Sequence, residues 1–174
     1  MRNPNEPRRF LHNIFEPTCK HHNANVHSSR FLSFTVLKNK MLAKRAEYNA
    51  YINVHKQNVV RSFAQITQGC CSLEWVARVV SREEMIERIR RHDDSKFSPE
   101  EFVPYRKCFF PASEDENNPS EISRAWRCHF QTNGHHWQFW LADNVPADIS
   151  DEAIVEMVAD WQAMSFPHGG SAWE

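Results

Sequence analysis

Apolar side chains recur every three or four residues along most of the chain after about residue 39, the spacing of one helix face. The pattern predicts a long helix from about Asn39 to Gln68, ended by Gly69, and a short helix from Ser72 to Val80. The inward positions predicted for the long helix are Tyr48, Tyr51, Ile52, His55, Val59 and Phe63. Because the chain has only four glycines and its period is helical, we expect an all-α domain.

Capping residues predict the starts of four further helices. The N-terminal signals are Ser81 with Glu84, Ser98 with Pro99 and Glu101, Ser120, and Ser150 with Asp151 and Glu152. The core positions predicted for three of these helices are Met85, Ile86 and Ile89, then Ile122, Ala125 and Trp126, then Ile154, Met157, Val158, Trp161 and Met164. The polar, proline-containing stretch "PASEDENNPS" predicts a loop between the second and third of the four.

The first part of the chain differs in charge and in pattern. Nine basic and two acidic residues precede position 47, whereas the remainder has 12 basic and 20 acidic residues. Prolines at positions 4, 7 and 17 interrupt any period there. We therefore predict a basic, mostly irregular N-terminal arm over residues 1–45 and a helical domain over residues 46–174, long enough for one hydrophobic core.

Neither a membrane span nor a secretion signal is predicted, because no apolar run approaches the roughly 20 residues that a bilayer requires. The five cysteines form no CxxC pair, so neither a disulfide framework nor a cysteine-based zinc site is indicated. We expect a cytoplasmic protein with reduced thiols.

Several titratable side chains fall on faces predicted to be apolar. These inward groups are His55, His92, Asp93, His129 and Asp160, with Glu156 one turn before Asp160. Burying two carboxylates near several imidazoles is costly unless a cation takes up their charge. A divalent transition metal (Mn, Fe, Co or Zn) is therefore the favoured explanation, and a polar, ion-paired core is the alternative.

The stretch "CHFQTNGHHWQFW" offers ligands for a second ion. If its helix persists past His129, Asn133 and His136 remain on the inner face and His135 turns away, although Gly134 sits in this segment. Two adjacent ions would clamp both oxygens of a phosphoryl transfer, and Asp93 could bridge them. Trp126, Trp137, Trp140 and Trp161 are candidates for stacking on a base, but core packing is favoured.

The segment "RRHDDSKFS" resembles the signature of the HD-domain metal-dependent phosphohydrolases. The resemblance implies an HD-domain-like helical bundle in which His55, His92, Asp93 and Asp160 hold one metal. It also implies that His129 with His135 or His136 holds a second metal, as in some branches of that superfamily. Lys96, three residues after Asp93, matches a lysine that is frequent there.

A closer resemblance covers residues 47–166. The chain resembles a family of uncharacterised bacterial and phage proteins through the motifs "YINVHKQNV", "HDDSKFSPEEFVPY", "AWRCHFQTNGHHWQFW" and "EMVADWQAM". That family carries no assigned chemistry, so the functional expectation comes from the wider HD superfamily.

We predict a phosphohydrolase that uses a metal-activated water on a nucleotide or another small phosphate ester. Lys96 and Glu156 are the predicted catalytic residues, with Glu156 either accepting the proton of the water or orienting a ligating histidine. Arg91, Arg124 and Asn133 are predicted to bind the substrate. A di-iron oxygenase of the HD-like type and a non-catalytic, metal-stabilised binding module are the alternatives. We expect no membrane or nucleic-acid partner, and the oligomeric state is not predicted.

Overall fold

Six α-helices account for most of residues 34–69, 73–142 and 145–168, which are the residues that the computed structural model describes. The helices are α1 (Phe34–Gly69), α2 (Glu74–Val80), α3 (Glu83–Arg90), α4 (Pro99–Phe109), α5 (Pro119–Thr132) and α6 (Asp151–Ser165). Single 3₁₀ turns cover Asp94–Phe97, Glu114–Glu116, Trp137–Trp140 and Phe166–His168. Two-residue strands, β1 (Leu141–Ala142) and β2 (Val145–Pro146), pair in antiparallel fashion. The all-α prediction is confirmed.

The long helix α1 organises the fold by packing along α6, while α4 packs on α5. Two apolar clusters result. The first contains Val59, Phe63, Val76, Val79, Val80, Met85, Ile89, Val155, Ala159 and Ala163. The second contains Tyr48, Ile52, Phe102, Tyr105, Ile122 and Ala125. His55 lies on α1 between Ile52 of the second cluster and Val59 of the first, so a polar layer can form between the two.

The predicted helix boundaries are close to the observed ones, but the start of α1 and two of the predicted N-cap residues differ. The helix α1 begins at Phe34 rather than near Asn39 and ends at Gly69 as predicted. The prediction of an arm over residues 1–45 is not tested, because residues 1–33 lie outside the described residues. Residues 34–45, which were assigned to the arm, form the first turns of α1.

Two of the predicted N-caps are wrong. Ser81 does not cap α3, because the N-cap residue of this helix is Arg82; the hydroxyl of Ser81 donates to the carbonyl oxygen of Arg78 (3.1 Å). Ser120 does not cap α5, since the side chain of Asn118 accepts from the backbone N–H of Ser120 (3.0 Å). Ser150 caps α6 as predicted by accepting from the backbone N–H of Ala153 (3.3 Å).

The inner face of α6 is rotated from the predicted one. Of the predicted core positions only Met157 is buried, and Ile154, Val158 and Trp161 are half-buried. The buried residues of this helix are Ala153, Val155, Glu156, Met157, Ala159, Asp160 and Ala163. Ala159 and Ala163 on this face share an apolar cluster with residues of α1, and the same face carries two carboxylates inward.

Large side chains elsewhere depart from their predicted burial. Tyr51 and Ile86 were predicted to point inward, but they are 46% and 39% exposed. Trp126 and Trp140 are half-buried and Trp137 is exposed, so these tryptophans are not core residues as was favoured. Among the helices of the described residues, none combines the length and the apolarity needed to cross a membrane.

Candidate metal centre

Every side chain predicted to ligate a metal is buried in the polar layer between the two apolar clusters. Helix α1 supplies His55, the turn after α3 supplies His92 and Asp93, and α6 supplies Asp160. The end of α5 and the loop after it supply His129, His135 and His136. Ligand types from four separated segments therefore meet in one place.

The first group of ligand atoms surrounds one oxygen of Asp93 and one of Asp160. His55 Nε2 lies 3.1 Å from Asp160 Oδ1 and 3.3 Å from Asp93 Oδ2. His92 Nε2 lies 3.6 Å from each of the same two oxygens. Ligand atoms of His55, His92 and Asp160 lie within 4.8 Å of one another, which a single ion can span.

The second group faces the other oxygen of Asp93. His129 Nε2 lies 3.3 Å and His135 Nε2 lies 3.6 Å from Asp93 Oδ1. The ligand atoms of His129, His135 and His136 also lie within 4.8 Å of one another. Asp93 thus presents one oxygen to each group.

His135 was predicted to turn away only if the helix persisted past His129, and that condition is not met. Helix α5 ends at Thr132 instead of persisting past Gly134, and the following turn directs both His135 and His136 inward. At Gly134 an added Cβ would lie 3.1 Å from Arg88 Nη2, so this turn passes close to α3. The close approach is part of what brings the loop histidines to the site.

The backbone of Asp93 adopts a left-handed conformation (φ 61°), which no other non-glycine residue of the described ranges does. Aspartate tolerates this region better than most residues, and such strain concentrates at functional sites. This residue lies between α3 and the 3₁₀ turn Asp94–Phe97, and both His92 and Asp93 are buried there.

Two further buried carboxylates contact the imidazoles at Nδ1, on the side away from the metal-facing Nε2 atoms. Glu156 Oε1 accepts from His92 Nδ1 (2.9 Å) and from His135 Nδ1 (3.2 Å), and Arg88 Nε donates to Glu156 Oε2. Glu101 Oε2 accepts from His129 Nδ1 (2.8 Å). In each ring the hydrogen bond at Nδ1 leaves Nε2 as the atom that can ligate.

Glu101 was missed as a site residue because it was interpreted as the third residue of a helix start. It occupies that position in α4 and is also buried, beside Phe102 and one turn before Tyr105, both of which are core residues. Its position on the same helix face as these core residues could have identified Glu101 as a buried carboxylate from the sequence.

The carboxylates raise the affinity of the cluster for positive charge. Burial lowers the pKa of His92, but the neighbouring carboxylates outweigh burial and raise it to about 10. The same opposition of burial and carboxylate contacts raises the pKa values of His55 and His129. Burial raises the pKa values of Asp93 and Asp160, but nearby cationic groups hold both well below the usual range.

The loop histidines differ from the others. Burial lowers the pKa of His135, and burial together with the neighbouring imidazoles lowers the pKa of His136 to about 2. Both rings are therefore neutral near pH 7, which is the form that binds a metal. Burial raises the pKa of Glu156, but its hydrogen bonds to His135 and His92 lower it well below the usual range.

A divalent cation fits these residues. The buried atoms His92 Nε2, His129 Nε2, His135 Nε2 and Asp93 Oδ1 have no hydrogen-bond partner within the described residues. Among the described residues, four buried carboxyl groups (Asp93, Glu101, Glu156 and Asp160) lie with these imidazoles, and Lys96 and Arg88 are the lysine and arginine that pair with them. Protons on the imidazoles balance further negative charge in the metal-free protein, and a divalent cation can take the place of those protons. Imidazole and carboxylate donors together suit zinc, manganese, iron or cobalt.

An open cleft of about 1090 Å³ reaches the cluster at His135 and Glu156. Arg91 and Asn133, two of the predicted substrate-binding residues, line this cleft, whereas Arg124 is exposed on α5 outside its lining. Asn133 donates to Ser95 Oγ (2.8 Å) and to the carbonyl oxygen of His129 (2.7 Å), so its amide is already engaged. Lys96 Nζ lies 2.6 Å from Asp93 Oδ2.

Comparison with protein families gives one assignment. The model of a family of unknown function (DUF5662) matches residues 44–174. The chain belongs to this family. The DUF5662 match covers both ligand groups, and it confirms the prediction of an uncharacterised family without assigning chemistry to it. Comparisons with curated proteins and with solved structures gave no match.

Proposed function

We propose that this member of DUF5662 is a metal-dependent phosphohydrolase that acts on a nucleotide or another small phosphate ester. The observation that carries the proposal is the position of Asp93, whose two oxygens face two adjoining sets of imidazoles. Ligand atoms of His92, Asp93 and His135 also lie within 4.8 Å of one another, so the two sets meet at Asp93. A carboxylate in this position suits two neighbouring ions, which is an arrangement that phosphoryl-transfer enzymes use. The resemblance of "RRHDDSKFS" to the HD signature supports the same conclusion.

Two sets of residues would hold the ions. His55, His92, Asp93 and Asp160 form the first set, and Asp93, His129, His135 and His136 form the second. When bound, divalent ions supply Lewis acidity, which lowers the pKa of water and neutralises phosphate charge. The cleft lined by His135 and Glu156 borders this layer, and we propose that it is the side from which a substrate approaches.

Among the predicted catalytic residues, Glu156 fits the positioning role better than that of a proton acceptor. Both of its carboxylate oxygens are engaged, Oε1 with two imidazoles and Oε2 with Arg88. Lys96 neutralises part of the charge of Asp93, and its ammonium group is of the type that binds a phosphate oxygen.

Elemental analysis combined with a panel of phosphate esters tests the proposal. We expect wild-type protein to contain Mn, Co, Zn or Fe and to release phosphate, and His92→Ala to lose both properties. Gln57→Ala is the control, because Gln57 is exposed on the same helix as His55. Metal content unchanged in His92→Ala would contradict the proposal.

Two other experimental outcomes would favour one of the alternative functions over the phosphohydrolase. Iron with oxygen consumption and no phosphate release would favour a di-iron oxygenase. Metal with ligand-induced stabilisation and no turnover of any substrate would favour a binding module.

A further inference from the structure

The two candidate ligand groups share a contact on the side away from the metal-facing atoms. One oxygen of Glu156, Oε1, lies 2.9 Å from Nδ1 of His92 in the first group and 3.2 Å from Nδ1 of His135 in the second. The centroids of these two rings are 4.2 Å apart. A single carboxylate oxygen therefore orients one histidine of each group.

From this geometry we infer that Glu156 couples the two groups, so that binding of one ion increases the affinity of the site for the other ion. The inference rests on the metal centre of the proposed function and concerns how that centre fills. It assigns Glu156 as a positioning residue that acts through both His92 and His135.

The surroundings of Glu156 leave it little freedom to serve the two rings separately. Its side chain is buried, and Arg88 Nε donates to its other oxygen. Glu156 also lies one turn before Asp160 on the inner face of α6, so its backbone is tied to that of a first-group ligand. An ion that holds His92 and Asp160 in their ligating positions therefore also holds Oε1 where Nδ1 of His135 contacts it, which keeps His135 oriented for the second ion.

Glu101 provides the matched comparison. It is also a buried carboxylate, and its hydrogen bonds within the described residues come from His129 of the second group, at 2.8 Å, and from the hydroxyl of Ser95. Partners of this kind change metal affinity by about 10–100-fold when removed. Substitution of Glu101 should therefore affect one ion, whereas substitution of Glu156 should affect both.

The test is titration of metal-stripped protein with Co²⁺, followed by calorimetry and by visible absorption of the bound ion. We expect wild-type protein to take up two ions with positive coupling. Glu101→Gln should bind one ion normally and the other about 10–100-fold more weakly. Glu156→Gln should weaken both ions by a similar factor and reduce the coupling between them. Glu156→Asp keeps the charge but shortens the side chain, so it should also lose the coupling.

Circular dichroism of each metal-free variant separates a folding defect from a binding defect, and Glu156→Asp serves where Glu156→Gln does not fold. Independent binding of two ions by wild-type protein, or an effect of both Glu156 variants on one ion alone, would overturn the inference. The readout does not depend on catalysis. Coupled binding without phosphate release would leave the inference standing and remove the hydrolase, whereas phosphate release with independent ions would do the reverse.

Discussion

Replacement of Asp93 by asparagine should abolish the stabilisation of the fold by metal ions. Asparagine has nearly the same shape and also tolerates the left-handed backbone of this residue (φ 61°), so the change removes charge without adding strain. Because each oxygen of Asp93 faces a different ligand group, the substitution should affect both ions. Asp160→Asn touches only the first group and should affect one.

The size of the stabilisation follows from the thermodynamic linkage between metal binding and folding. An ion at 100 times its dissociation constant stabilises the folded state by about 2.7 kcal/mol, so two ions give roughly 5.4 kcal/mol. For a chain of this size each kcal/mol raises the melting temperature by about 2–4 °C. Saturating metal should therefore raise the melting temperature of wild-type protein by about 10–20 °C, that of Asp160→Asn by about half as much, and that of Asp93→Asn hardly at all.

Thermal unfolding after treatment with a chelator, and again after addition of Mn²⁺, measures these shifts. Asp94→Asn is the matched control, because this neighbouring carboxylate is half exposed and pairs with Lys56 instead of facing the cluster. The control should respond to Mn²⁺ as wild-type protein does. An equal response of Asp93→Asn and wild-type protein would refute the assignment of Asp93 as a shared ligand.

Three further predictions concern the fold and are measured by urea unfolding. Met85→Ala should cost about 2–5 kcal/mol because Met85 is 0% exposed, whereas Ile86→Ala, at a position 39% exposed, should stay within about 1 kcal/mol. Glu116→Gln should cost about 2–3 kcal/mol near neutral pH, since it leaves the buried guanidinium of Arg106 without its carboxylate. Hydrogen bonds from Arg106 lower the folded-state pKa of Glu116, so this stability is present above the unfolded value of about 4.5. It is lost as the pH falls through the folded pKa, and the difference between the two proteins should then vanish. Ser150→Ala removes the cap of α6 and should cost about 1 kcal/mol.

Helical periodicity predicted some of the polar side chains that are buried inside the helices, although it did not identify Glu101. His55, His129 and Asp160 were placed inward by counting from apolar neighbours, and all three are buried. The same counting failed for Ile86 and Tyr51, because a helix face several residues wide does not specify which of its edges meets a neighbouring helix. Burial of an apolar edge position is decided by packing between helices, which local sequence does not contain.

Side chains outside regular helices were harder to predict. The orientation of His135 depends on a turn that follows the end of α5 and passes close to Arg88, a residue 46 positions earlier in the chain. The partners of Glu101 and Glu156 are likewise set by tertiary contacts with α5, α3 and the loop histidines. A period of 3.6 residues identifies neighbours along one helix, but it does not identify neighbours across helices.

The polar layer also sets a condition on the stability of the protein. Desolvation penalises each of its four buried carboxyl groups, and Lys96, Arg88 and the protonated ring of His92 balance part of that penalty in the metal-free protein. The flanking apolar clusters must offset the remainder in the metal-free protein, since they hold the layer in place from both sides. Such an arrangement is costly as a purely structural core, because apolar residues of the same volume would stabilise the bundle as well or better. Its persistence in a buried layer, with unsatisfied imidazole atoms directed at a carboxylate that faces two ways, is explained if the layer binds cations.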